Sequence, residues 1–342
     1  MLTLIAGLLL ASGTSTLPLE ALKRSVRSEQ ADIESLYRWF HQHPELSGKE
    51  IKTAARLAPE LRASGATGYE NVGGTGVVAV LSNRAQPKGP VVLMRADMDA
   101  LPVTEATGAP YASKNPGVMH ACGHDIHMSS AIGALRVLRN NESAWNGRIL
   151  FVAQPAEEIG VGARAVLADR TFHSIMKEYG RPEAAIALHD FAESEAGTVG
   201  IRSGWAFANV DSVDLFIFGR GGHGARPHQT VDPVVIGSES VGALQTIVSR
   251  RLAPGTPAVV TVGAFNAGTK HNIISSEAHL QLTVRSYGDE MRAELVEEIK
   301  RIARGVAEAH RAPKPPRITV RDEYTPAAFN DEALSAHLLA AF

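Results

Sequence analysis

Apolar residues recur at helical spacing over residues 28–40 (Ile33, Leu36, Tyr37, Phe40), and Pro44 marks the end of that segment. Residues 51–61 predict a second helix, bent or shifted at Pro59. The period then changes. Residues 77–81 (VVAVL) and 91–94 (VVLM) are short apolar runs bounded by Gly and Pro, the pattern of buried strands. Residues 125–138 predict a helix, 149–152 a strand, 161–168 a helix and 185–188 a strand. Strands alternating with helices imply the α/β class, with a mostly parallel sheet between helices. In such sheets the working residues gather just beyond the strand C-termini. Asp97, residues 154–158 and His189-Asp190 each follow a predicted strand.

Near residue 205 the texture shifts. Strands are predicted at 210–218, 258–265, 279–287 and 317–321, with helices at 233–251 and 290–310. The order β-α-β-β-α-β is the split βαβ of a ferredoxin-like domain. Three prolines, Pro313, Pro315 and Pro316, interrupt its end. The expected division is a first domain over 21–204, a ferredoxin-like domain over 205–315, and a return to the first domain over 316–342.

A chain of 342 residues exceeds one ordinary core, which agrees with two domains. Lys+Arg 34 against Asp+Glu 36 leaves a net charge of −2, so neither nucleic acid nor an anionic membrane is expected as a partner through bulk charge. The single cysteine, Cys122, excludes an intrachain disulfide and a zinc cluster made of cysteines alone. Residues 2–11 (LTLIAGLLLA) are too short to span a bilayer but match a signal-peptide core, with small residues following at 11–15. Residues 1–20 are therefore expected to be a signal, placing the mature protein in the periplasm or outside the cell. Without a functional signal it would be cytoplasmic.

Three constellations carry candidate chemistry. Residues 120–127 read HACGHDIH: a thiol and an imidazole two positions apart on a glycine-containing turn at a helix start can converge on one metal ion. Residues 154–160 read QPAEEIG, and adjacent carboxylates after a buried strand raise one another's pKa unless a cation relieves them. One such acid can bind metal while the other takes a proton from water. The third is His189-Asp190. About one β-α unit separates His124 from Glu157, and Glu158 from His189, so neighbouring strand ends can bring them to one site. Thiolate, imidazole and carboxylate together suit a borderline-soft divalent ion. The plainer readings are a small buried cysteine with incidental histidines and a solvated acidic loop. The glycine cluster at 73–76 lacks the Lys-Ser/Thr of a phosphate loop and reads as a turn.

These strings together resemble one family. RADMDALP at 95–102, MHACGHDIHM at 119–128, QPAEE at 154–158, LHD at 188–190 and GGHGARPH at 221–228, with HQHPELS at 41–47, are similar to the metallopeptidase family twenty amidohydrolases. The branch is that of hippurate hydrolase, N-acyl-amino-acid aminoacylases and auxin-conjugate hydrolases. The resemblance implies a zinc-exopeptidase-like catalytic domain with two divalent metals per subunit, zinc or manganese, with cobalt or nickel as further candidates. It also implies a ferredoxin-like lid through which the chain forms a homodimer, and a small N-acyl amino acid as substrate. Cys122, His124, Glu158 and His189 match the family's metal ligands, and Glu157 its general base. Asp97 matches an acid that orients a ligand. His223 matches the histidine that reaches a neighbouring subunit's site, and Asn272 and Arg285 match lid residues that hold the substrate carboxylate.

The family pattern also carries a further segment after the lid, which completes the catalytic domain and supplies a last histidine ligand. The sequence through Phe342 holds no match to it and is expected to be truncated; His337 reads as a helix residue. Two other readings compete. One is a metal-free cysteine hydrolase using Cys122 with His120 or His124, which gives Glu157 and Glu158 no task. The other is a truncated homologue acting as a non-catalytic dimerising module.

Overall fold

The structure is a computed structural model that describes residues 18–321 and 325–342. The expected signal core lies outside the described residues. Helix α1 (Leu19–Gln42) begins well before the predicted start at 28, because its first turns bury only Leu22 and give little apolar signal. Helix α2 (Ile51–Ala63) runs on through Pro59.

The chain separates into two units, one comprising the residues through Ile201 together with Glu332–Phe342, the other Arg202–Asp331. The first holds strands β1 (Thr67–Val72), β2 (Gly76–Ser82), β3 (Val91–Asp97), β4 (Arg148–Gln154) and β5 (Ala184–Ala187) in the order β1-β2-β4-β3-β5. β4, β3 and β5 run parallel, whereas β1 and β2 are antiparallel to their neighbours. The sheet is thus mixed where a mostly parallel one was expected. The physical reason is the turn at residues 73–75, too tight for the crossover that parallel strands need. β1 escaped the sequence reading because TGYENV is an exposed edge with one buried residue, Val72.

Strand β2 shows why its apolar run is unbroken. Val77, Ala79 and Leu81 enter one core with Phe40, Leu57, Phe151 and the fully buried Trp145. Val78 and Val80 enter the core on the other face, with Leu150, Phe172 and Ile175. Both faces are covered, so alternation disappears. Helix α3 (His124–Asn140) packs against α1 and contributes Met128, Ile132 and Leu135 to the first of these cores. Helices α4 (Gly162–Ala168) and α5 (Arg170–Tyr179) serve the second core through Val166, Phe172 and Ile175.

The second unit contains β6 (Gly204–Phe207), β7 (Asp211–Phe218), β8 (Gly222–His223), α6 (Pro233–Thr246), β9 (Val259–Ala267), β10 (Ile273–Ile274), β11 (Glu277–Arg285), α7 (Asp289–Ala309), β12 (Arg317–Val320) and β13 (Ala328–Asn330). Its main sheet has the order β12-β7-β11-β9, antiparallel throughout, which is the split βαβ topology. The expected boundary at 315 is corrected. β12 hydrogen-bonds to β7, and β13 pairs with β6, so the unit continues to Asp331. The prolines at 313–316 form the loop into β12. Helix α8 (Glu332–Ala341) belongs to the first unit and packs Leu338 against its core.

Candidate metal centre

The parallel strands β4, β3 and β5 are neighbours, and their C-terminal ends deliver the predicted groups. Asp97 ends β3 opposite Gln154, which ends β4; Glu157 and Glu158 follow three and four residues into the next loop, and His189 follows β5. His124 enters at the first position of α3. Gly123, its N-cap, has φ +76°, and a Cβ there would lie 2.1 Å from Asp190 Oδ1. The glycine therefore lets the helix start close against the His189-Asp190 loop.

The donor atoms of Cys122, His124 and His189 converge within 4.8 Å of one another, as do those of His124, Glu157 and Glu158, and those of Asp97, His124 and His127. Cys122 Sγ is 3.4 Å from His189 Nε2. His124 Nδ1 donates to the Asp99 carbonyl at 2.8 Å, which turns Nε2 toward Asp97 Oδ2 (3.6 Å), Glu158 Oε1 (3.7 Å) and Glu157 Oε2 (4.0 Å). His189 Nδ1 donates to the Asp190 carbonyl at 2.7 Å and leaves its Nε2 for the thiol side. Both imidazoles are thus held by backbone carbonyls in the manner of metal-ligating histidines.

Burial and charge agree with this geometry. His124 Nε2, Asp97 Oδ2 and Glu158 Oε1 are buried without a hydrogen-bond partner, although Arg95 forms an ion pair with Asp97 Oδ2 at 2.6 Å. Burial pushes the Glu158 carboxyl up. Burial opposes the charge on Asp97 as well, but the hydrogen bond from His127 and the Arg95 guanidinium hold its carboxyl well below the usual range. Hydrogen bonds with His124 and His189 lower the Cys122 thiol. Burial opposes protonation of His124, yet its hydrogen bond with Asp99, the thiol and the nearby carboxylates push it up to about 11. Protons thus stand where acceptors face one another. Divalent cations fit the same donor set, because they satisfy lone pairs of nitrogen, sulfur and oxygen at once.

Residues not assigned from sequence complete the centre. His127, on the same helix face as His124, accepts from the Asp190 amide through Nε2 at 3.0 Å and donates through Nδ1 to Asp97 Oδ1 at 2.6 Å. Asp99 accepts from Ser47 Oγ at 2.6 Å and from the Glu158 amide at 3.0 Å. Their signals were present, as the i, i+3 histidine spacing and the second acid of RADMDALP. His120 is buried with both ring nitrogens unpartnered, and burial pushes it down to about 4. It therefore does not pair with Cys122, which removes one base of the cysteine-hydrolase reading.

His223, Asn272 and Arg285 belong to the second unit. The short ladder of β8 with β10 pairs His223 with Ile273, and the Gly224 amide donates to the Asn272 carbonyl at 2.8 Å, so His223 and Asn272 lie side by side. Asn272 Oδ1 is buried and unpartnered. Arg285 is exposed at the far end of β11, and so it stands apart from the other two within this unit. His337 is exposed on α8.

Paired carboxylates, a thiol and imidazoles at the C-terminal strand ends of an α/β unit place the chain among metal-dependent hydrolases. Residues 93–342 match the model of Peptidase family M20/M25/M40, and the chain belongs to that family. It is 38% identical over 277 residues to the N-acetyl-L-cysteine deacetylase of Bacillus subtilis, which covers 81% of this chain and 64% of that protein. It is 39% identical to the N-acyl-L-amino acid amidohydrolase of Geobacillus stearothermophilus over 86% of this chain and 77% of that one. Among solved structures, the Bacillus subtilis YXEP protein, described as a dinuclear metal binding peptidase, superposes with a TM-score of 0.73 at 30% identity, over 90% of this chain and 77% of that one. The expected amidohydrolase branch agrees with these matches.

Proposed function

We propose that this protein hydrolyses the amide bond of N-acyl amino acids or similarly small N-acyl conjugates, with divalent cations held by Cys122, His124, Glu158 and His189. The observation that carries this reading is the meeting of His124 Nε2 and Glu158 Oε1, buried without a hydrogen-bond partner among the described residues, beside Asp97 Oδ2, whose contact is the Arg95 ion pair. The names of the similar deacetylase and amidohydrolase support the substrate class. Two ions per subunit would polarise the amide carbonyl and acidify water, and the sulfur ligand favours zinc, with manganese, cobalt or nickel also matching the mixed donors.

The chain's own residues divide the remaining work. Glu157, part exposed beside the cradle, takes the proton of the attacking water and passes it to the leaving amine nitrogen. Asp97 holds the imidazole of His127 and faces that of His124. His223, presented with Asn272, steadies the oxyanion from the lid of a second copy, and Asn272 and Arg285 bind the substrate carboxylate. We also infer export, from the apolar run at 2–11 and the small residues after it.

The test is hydrolysis of a panel of N-acetyl amino acids by metal-loaded protein. Glu157→Gln is expected to lower kcat by about 10²–10⁴-fold with its metal content unchanged. Activity that survives a chelator, or Glu157→Gln, would overturn the reading. Mixing His223→Ala with Glu157→Gln is expected to restore activity through mixed dimers; no recovery would exclude the shared site.

A further inference from the structure

We infer that Glu50, a residue outside the metal cradle, is a positioning residue for the general base Glu157; this rests on the proposed hydrolase reading. Glu50 is fully buried, with 0% exposure, at the start of α2. Its Oε1 accepts from the Gly48 amide at 2.9 Å and from the Ala156 amide at 2.8 Å, and its Oε2 accepts from the Thr75 hydroxyl. Among the described residues no lysine, arginine or histidine makes an ion pair with it. A carboxylate removed from water without a cation is costly, so its hydrogen bonds are what hold it there.

Those bonds converge on the loop that carries the base. Ala156 immediately precedes Glu157 and has φ +47°, a left-handed conformation that an alanine does not choose unaided. The same residue's carbonyl accepts from the Gly162 amide at 3.1 Å, and a Cβ at Gly162 would fall 1.5 Å from the Pro155 oxygen. The strained turn is therefore gripped at both ends. The Glu157 carboxylate has no comparable anchor among the described residues, where its approaches are long, 3.9 Å to Arg95 and 4.0 Å to His124. Its placement comes from the backbone, which Glu50 holds at the Ala156 amide and Asp99 holds at the Glu157 amide. Asp99 does the parallel task two residues beyond Ala156 as well, on the Glu158 amide, and Ser47 ties Asp99 to the same stretch of chain as Glu50. The Gly73–Gly76 turn thereby has a task too, since it presents Thr75 to the buried carboxylate.

Two conservative variants separate reach from charge. Glu50→Gln keeps the reach and loses the charge: its amide oxygen still accepts from Gly48 and Ala156, and its NH₂ donates to a rotated Thr75 hydroxyl. Glu50→Asp keeps the charge and is a good helix cap, but is one methylene too short for Ala156. With metal-loaded enzyme and an N-acetyl amino acid, Glu50→Gln is expected to stay within about threefold of wild type. Glu50→Asp is expected to lose at least tenfold in kcat with KM and metal content unchanged. Hydrogen exchange on the metal-free protein gives a readout without activity: the amide of Ala156 should exchange at least tenfold faster in Glu50→Asp and at the wild-type rate in Glu50→Gln. Equal damage in both variants, or unchanged exchange and kcat in Glu50→Asp, would overturn the inference. A wild-type protein inert to every N-acyl amino acid, with the exchange pattern as expected, would instead sink the substrate reading alone.

Discussion

His127 and Asp97 form a buried hydrogen bond of 2.6 Å between the first turns of α3 and the end of β3. The opposite ring nitrogen, Nε2, meets Asp190, whose amide nitrogen lies 3.0 Å and carboxylate Oδ1 3.1 Å from it. One ring thus joins an acid of the cradle to the loop that carries His189.

Replacing His127 by leucine should therefore weaken cation binding although its ring is not placed among the ligands. The expected loss is about 10–100-fold, the range for residues that orient metal ligands. Competition with a fluorescent zinc chelator measures it, and an unchanged affinity would reduce His127 to core packing.

The metal-free protein should become less stable as the solution turns alkaline. His124 stands at about 11; His189 is raised to about 9, by the Cys122 thiol against burial and with help from the Asp190 carbonyl. Groups raised in the folded state stabilise it fully below the unfolded histidine value of about 6.5, and that contribution fades as pH climbs through the folded values. Urea unfolding of chelated protein at pH 6.5 and pH 9 should show the decline. Zinc-loaded protein should not follow it, because cations replace the protons.

Gly123→Ala tests the close approach of α3 to Asp190. The left-handed φ alone costs about 1–2 kcal/mol for alanine, and the new methyl must displace a carboxylate otherwise 2.1 Å away. Thermal unfolding should fall accordingly, and cation affinity with it. A variant as stable as wild type would show that the Asp190 loop yields freely.

Cys122 should report occupancy. Its lowered thiol makes the chelated protein reactive toward iodoacetamide, whereas a cation bound through sulfur should protect it. Peptide mass spectrometry after timed alkylation, with and without zinc, distinguishes the two. Equal rates would remove Cys122 from the ligand set.

The parts of this fold with strong periodicity were legible in the sequence. β2 and β4 bury both faces and read as apolar runs, and the split βαβ order followed from alternation in β7 and β11. Polar edges were not legible: β1 offers one buried residue, and β6 and β13 pair through Trp205 and Phe329, both exposed. Of the site, the residues with distinctive chemistry stood out, and the structure brings Cys122, His124, Glu157, Glu158 and His189 together. Glu50 did not, because its task depends on a backbone amide that is distant in sequence and carries no signature of its own.

Among the described residues, the donors that meet at the cradle, from Asp97 to Asp190, lie in one uninterrupted stretch that ends before the second unit begins at Arg202. On the ribosome, then, the thiol, imidazoles and acids are all outside the exit tunnel while the ferredoxin-like portion is still being translated. Loading with cation need not wait for release of the chain, and the metals available to a nascent polypeptide bear on which ions the mature enzyme carries.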